Sequence, residues 1–192
     1  RVWPLWICPF LIAASPFRYT LWADADMLVL RDLDRLFELL VERPVFTPEN
    51  LAPERTANPL RLYELLGPGL PSSQPLVNAG LSGWDLVRDQ DLLADYCDAV
   101  RNALARRDVR DAIAWHDQGC LIWALVNQGS KDFVLETTAW NQSVAGTPLR
   151  DWSFEWSADA LEYARNRVPD AAILHWNGLP MPWRPRTEGI PE

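Results

Sequence analysis

Two aspartates, Asp24 and Asp26, stand one residue apart in the stretch Leu-Trp-Ala-Asp-Ala-Asp-Met-Leu-Val-Leu, whose other members all seek burial. A buried carboxylate without a partner is costly, so the segment calls for something that shares the charge. In an extended chain residues i and i+2 point to the same side, which predicts that the two carboxylates converge while Ala25 faces away. Converging carboxylates either share a proton or hold a cation. Delivered by a hydrophobic strand to the edge where open α/β sheets bind ligands, they offer the hard oxygen donors of a magnesium or manganese site. The competing explanation is a turn in which one Asp caps the next element and the other is solvated.

Four later segments also set polar side chains directly against apolar ones: Leu76 to Trp84 (LVNAGLSGW), Trp115 to Leu125 (WHDQGCLIWAL), Trp140 to Ser143 (WNQS) and Ile173 to Trp183 (ILHWNGLPMPW). Each has a structural explanation when taken singly. Asn78 and Gly80 suit a bulge or turn, Asp117 could cap a helix, Asn141 could sit in a turn, and His175 could be a satisfied core histidine. Their order along the chain, behind the paired aspartates, is what makes them candidates for function.

The elements that must position these groups alternate. Apolar spacing predicts helices around Leu33 to Leu40 behind the candidate N-cap Asp32, Leu60 to Leu66, Leu92 to Leu104, Leu121 to Val126, and Leu161 to Val168 behind the candidate cap Ser157. Short β-branched and aromatic runs predict strands at Tyr19 to Ala23, Met27 to Leu30, Val45 to Thr47, Val77 to Trp84, Phe133 to Glu136 and Ala172 to Trp176. Val2 to Ala14 reads as the helix before the first strand, and Thr47 to Gln74 as a loop-rich excursion. This alternation predicts an α/β layered fold with a mainly parallel sheet and flanking helices.

Composition narrows the partners. With 18 basic and 26 acidic residues the net charge is -8, which repels nucleic acid and anionic lipid in the absence of a basic cluster. An acidic chain that handles an anionic substrate needs local positive charge, from a metal ion or oriented backbone N–H groups. Cys8, Cys97 and Cys120 are odd in number and far apart, so they suggest buried thiols rather than disulfides or a metal site. The apolar opening is shorter than the roughly 20 residues of a membrane span. No membrane span is expected, and the expected compartment is the cytoplasm.

The ordered set of D-x-D at a strand end, N-A-G in a strand, D-Q opening a helix, W-N, and H-x-x-G-x-x-x-P-W after a strand resembles the glycosyltransferases of family 8, from Leu21 to Trp183. The resemblance implies a GT-A-like fold, in one domain over residues 1–192, and transfer of a sugar from a nucleotide-diphosphate donor, UDP-linked by preference, to a carbohydrate or glycoconjugate acceptor with retained configuration. It implies Asp24, Asp26 and His175 as ligands of manganese, or of magnesium. Asn78, Ala79, Gly80, Asp117, Gln118 and Asn141 would meet donor or acceptor sugar, with Asp117 and Gln118 as the catalytic pair and Gln118 near the anomeric carbon. Gly178 and Arg184 would serve the diphosphate.

Two departures stand out. The family's late motif carries lysine where this chain has Met181, which cannot neutralise phosphate; Arg184 or Arg186 would have to do so. The family also places more chain ahead of D-x-D than the 23 residues found before Asp24, so the expectation is a C-terminal portion, N-terminally truncated. Both departures leave room for a non-catalytic carbohydrate-binding or interaction module derived from such an enzyme. A further alternative is a haloacid dehalogenase-type phosphatase with Asp24 as nucleophile, although Leu28 stands where that class prefers Thr or Val. Trp84, Trp140, Trp176 and Trp183 lie beside the motifs and are candidates for stacking on sugar rings.

Overall fold

The computed structural model describes residues 6–48, 76–112, 116–129, 133–135, 138–152 and 157–176. In chain order the elements are α1 (Cys8–Ala13), β1 (Tyr19–Ala23), β2 (Met27–Val29), α2 (Asp34–Glu42), β3 (Val45–Pro48), β4 (Val77–Asp85), α3 (Gln90–Ala105), α4 (Arg107–Ala112), α5 (Asp117–Asn127), β5 (Val134–Leu135), β6 (Gln142–Ser143), α6 (Ala158–Arg167) and β7 (Ile173–His175). Contacts divide the chain into two units: Arg1–Ala23 with Leu33–Glu136, and Asp24–Asp32 with Thr137–Glu192.

In the first unit every residue of β4 is buried, because the strand lies inside the sheet order β1-β4-β3-β5 and both α2 and α5 pack on it. Burial on both faces explains why its sequence does not alternate apolar with exposed polar residues: even Asn78, Ser82 and Asp85 are buried. Gly83 is required by a close approach: a Cβ there would lie 2.9 Å from Leu21 Cδ2 and 3.2 Å from the Val45 Cβ. One residue on, Trp84 stacks on Tyr96 of α3 with ring centroids 6.2 Å apart and meets Phe46 edge to face at 5.2 Å. Buried residues of α1, α3 and α5 complete this core.

In the second unit β7 lies between β2 and β6. Leu28, Leu30, Val144, Leu149, Ala164, Leu174 and Trp176 form a separate core, onto which Leu161 of α6 packs. Ser157 caps α6, its Oγ accepting from the Ala160 N–H at 3.1 Å, as its position in the sequence predicts. Asp32 does not cap α2: the N-cap is Leu33, and no side chain closes that end.

The α/β class holds, and the strand assignments match closely, with β1 and β4 each within one residue of expectation. The pairing needs correction. Among the described strands β3 with β5 and β6 with β7 are parallel, but β1 and β3 flank β4 antiparallel, and β2 is antiparallel to β7. A parallel pair needs a crossover that returns the chain to the same end of the sheet, as α6 does between β6 and β7, whereas β4 runs against both of its neighbours, β1 and β3, a direction that the alternation of helices and strands does not fix. The expected helix at Leu60 to Leu66 lies outside the described residues. Cys8, Cys97 and Cys120 are all buried thiols. Among the described residues no helix is long and apolar enough to cross a membrane.

Candidate functional site

Asp24 and Asp26 occupy a turn, not an extended strand end: the Met27 N–H donates to the Asp24 carbonyl at 3.2 Å, and β2 begins at Met27. Their convergence therefore comes from the turn and from what faces it, rather than from a two-residue strand period. Met27 is paired directly with His175 across β2 and β7, and the Trp176 N–H donates to the Asp26 carbonyl at 3.0 Å. This ladder holds the backbone of the turn beside the end of β7.

His175 Nε2 consequently lies 3.1 Å from Asp26 Oδ1 and 3.9 Å from Asp24 Oδ2. One ligand atom from each of the three residues falls within 4.8 Å of the others. The His175 side chain is 4% exposed, while those of Asp24 and Asp26 are 33% and 22% exposed, so the carboxylates remain reachable from water. On its other side the His175 ring meets Asn141, with Nδ1 and Asn141 Oδ1 2.8 Å apart. A carboxamide oxygen only accepts, so this contact calls for the hydrogen on Nδ1. Nε2 then meets the carboxylates either as the N–H of an imidazolium or as a lone pair turned to a cation. Two carboxylates and one imidazole nitrogen fit a divalent ion of the manganese or magnesium type, with the nitrogen favouring manganese.

The first unit holds a second polar set. The register of β3 against β4 jumps from Phe46 opposite Ser82 to Thr47 opposite Asn78, so Ala79, Gly80 and Leu81 have no counterpart on β3. Backbone N–H groups that leave a ladder need other acceptors. The Ala79 N–H donates to Gln118 Oε1 at 3.2 Å, and the Gly80 N–H to Asn78 Oδ1 at 2.8 Å. Asn78, Asp117 and Gln118 are all buried. The bulge that Asn78 and Gly80 suggest is thus present, and Gln118 from the first turn of α5 helps to hold it.

Asp117 is the first residue of α5, not its cap; His116 takes the cap position with φ 49° and ψ -118°. That backbone region is strained for a residue with a side chain, and such strain gathers at functional sites. The Asp117 carboxylate sits where the helix dipole favours negative charge and accepts from the Tyr96 hydroxyl at 2.9 Å. Burial, with the Asp117 charge beside it, pushes the Tyr96 phenol well above its ordinary pKa, so it stays a donor. Burial and the same carboxylate push the Cys120 thiol up as well, which keeps it unreactive.

Sequence reasoning missed Tyr96, although a tyrosine on the apolar face of a helix implies a buried hydroxyl seeking an acceptor. It also offered two tryptophans for stacking that the structure withdraws. Trp84 and Trp176 are fully buried in the two cores and present no ring face to a sugar. Trp140 is half-buried. Gly178, Met181, Trp183, Arg184 and Arg186 lie outside the described residues.

No protein-family model matches the chain, and no curated protein matches it. Solved structures do. An active-site mutant of LgtC aligns with a TM-score of 0.55 at 16% identity, over 93% of this chain and 60% of that one. The galactosyltransferase LgtC in complex with donor and acceptor sugar analogues gives 0.53 at 18% identity, over 88% and 56%. Mouse xyloside xylosyltransferase 1 in its apo form gives 0.50 at 14% identity, over 93% and 64%. The chain thus spans 56% to 64% of the length of these three structures. At such identities the likeness is one of architecture, and the architecture is the α/β, GT-A-like fold of these glycosyltransferases.

Proposed function

We propose that the chain serves in a metal-dependent glycosyltransferase of the family 8 type, one that moves a sugar from a nucleotide-diphosphate donor, UDP-linked by preference, to a carbohydrate or glycoconjugate acceptor with retention. The observation that carries the reading is the convergence of Asp24, Asp26 and His175 on one small space, with the ring of His175 oriented from behind by Asn141. In the proposal these three residues hold manganese, or magnesium in its place. When bound, the ion supplies Lewis-acid stabilisation of the charge that grows on a diphosphate leaving group. It also answers the need of a chain with net charge -8 for local positive charge.

The remaining roles belong to the chain itself. Asn78, Ala79 and Gly80 offer a bulged backbone that a ligand can approach closely, glycine having no side chain to keep it away. Asp117 accepts hydrogen bonds from sugar hydroxyls, its carboxylate steadied by Tyr96. Gln118 is assigned to the reacting end of the donor, its Oε1 anchored on the Ala79 N–H. Gly178 and Arg184 are assigned to the diphosphate, with the arginine standing in for the lysine that Met181 replaces.

The test is a thermal-shift and turnover series on the full gene product. Manganese and UDP together are expected to raise the melting temperature more than either alone, and a panel of UDP-sugars is expected to include one that is turned over only with the metal. Failure of both ligands to bind at millimolar concentration removes the proposal. Sugar binding that survives chelation of the metal, without turnover, would instead favour a non-catalytic carbohydrate-binding module.

A further inference from the structure

We infer that Asn141 is a positioning residue of the cation site, fixing the tautomer and the rotation of the His175 ring so that Nε2 is presented to the space between Asp24 and Asp26. The inference rests on the proposed cation site and gives Asn141 a different role from the sugar contact that its motif suggests.

Backbone pairing decides where Asn141 sits. It ends the 3-10 turn Thr138–Asn141 and leads directly into β6, whose Gln142 and Ser143 pair in parallel with Leu174 and His175 of β7. The Ala172 N–H donates to the Ala139 carbonyl at 2.8 Å and ties the turn to the chain entering β7. Asn141 and His175 are thus carried on backbones locked to each other, and both side chains are buried. At 2.8 Å the Nδ1 to Oδ1 contact is a short hydrogen bond, and Oδ1 has only lone pairs to offer.

The consequence is chemical. A neutral imidazole places its one hydrogen on either nitrogen, and only the form with hydrogen on Nδ1 has a lone pair at Nε2 for an ion. An acceptor held at Nδ1 supports that form once an ion takes the place of a proton between Nε2 and the carboxylates, and it stops the ring from turning. Partners of this kind behind a metal-binding histidine are worth roughly 10- to 100-fold in metal affinity. The loss of Asn141 should therefore be felt first in metal binding.

The experiment measures manganese affinity from the electron paramagnetic resonance signal of free Mn(II), with no donor or acceptor present, for the wild-type protein, Asn141→Asp, Asn141→Leu and Asp24→Asn. Expected are a weakening of roughly 10- to 100-fold for Asn141→Leu and near-wild-type affinity for Asn141→Asp, whose carboxylate still accepts from Nδ1. Nitrogen NMR of the magnesium-loaded protein, where an ion rather than a proton meets Nε2, should show His175 with its hydrogen on Nδ1 in the wild type and a less defined ring in Asn141→Leu. Where Asn141→Leu does not fold, Asn141→Ser, too short to reach the ring, is expected to show the same loss. Wild-type Mn(II) affinity in the folded Leu or Ser variant overturns the inference and leaves the cation site standing. Absence of Mn(II) binding by the wild type, unchanged in Asp24→Asn, overturns the cation site and the inference together.

Discussion

Each unit of the molecule contains a pair of neighbouring aspartates, and the two pairs are settled in different ways. Asp85 and Asp89, at the end of β4 and the start of α3, are each met by an arginine. Arg18 grips both carboxylate oxygens of Asp85 at 2.9 to 3.2 Å, and Arg88 both oxygens of Asp89 at 2.7 Å. The Asp89 carboxylate also accepts from the Asp85 N–H at 2.8 Å, while Arg88 reaches the Leu40 carbonyl at the end of α2 at 2.9 Å. Guanidinium groups are permanently charged and matched to carboxylate geometry, so this pair is a finished structural joint. Asp24 and Asp26 instead face an imidazole whose outer nitrogen is turned to Asn141, and their exposure leaves them within reach of an ion from water. Paired carboxylates gripped by guanidinium groups make a joint, and paired carboxylates beside an imidazole make a candidate cation site.

The sharpest way to break this comparison is to neutralise one member of each pair. Asp24→Asn or Asp26→Asn is expected to lower Mn(II) affinity by more than the roughly 10- to 100-fold expected for a partner behind a ligand, with little change in the melting temperature of the metal-free protein. Asp85→Asn is expected to do the reverse, lowering the melting temperature while leaving Mn(II) affinity alone. Calorimetric titration and thermal unfolding of the same samples check both, and a metal defect in Asp85→Asn would erase the distinction.

A smaller effect is expected where a buried carboxylate has a neutral partner. Tyr96→Phe removes the donor to Asp117 and should cost about 1–3 kcal/mol in denaturant unfolding; if the two hydroxyl and carboxylate oxygens are coupled as the 2.9 Å distance implies, Asp117→Asn should soften that cost in a double-mutant cycle.

Acid titration sharpens the comparison further. The Arg18 hydrogen bonds, opposed by burial and helped by the Val87 and Arg88 N–H groups, hold the Asp85 carboxyl at about 2 against its ordinary 3.8. Because the folded value is the lower one, the stabilisation is full above the ordinary value and is lost as pH falls through the folded one. Wild-type stability should therefore drop between about pH 4 and pH 2, and Arg18→Met should flatten that part of the curve. Least affected should be the exposed pair Arg35 and Glu38 on α2, 3.2 Å apart, where Glu38→Gln is expected to change stability by about 0.5 kcal/mol or less.

Much of the fold was legible because its signals are local. Tyr19 to Ala23 and Val77 to Trp84 read as strands from their β-branched and aromatic content, and Ser157 read as a cap from its place before an apolar repeat. Strand direction was not legible, since it depends on which strands become neighbours across long stretches of chain. The hydrogen bonds of Gln118 to Ala79 and of Tyr96 to Asp117 were also out of reach, because they join residues 39 and 21 positions apart. Only the approach of Leu21 and Val45 explains why position 83 is glycine.

The kinds of donor available to the candidate site are written in the residues: two aspartates in an apolar stretch, a histidine behind a hydrophobic run, and no basic cluster beside them. Side-chain chemistry is a property of the residue and survives any folding. Only the tertiary structure decided that Asp24 and Asp26 converge through a turn, that β2 and β7 bring His175 to them, and that Asn141 stands behind the ring. His175 reaches the aspartates through pairing between segments more than a hundred residues apart, and Asn141 reaches the ring across 34 residues; the packing that selects such pairing is a property of the whole unit rather than of any stretch within it.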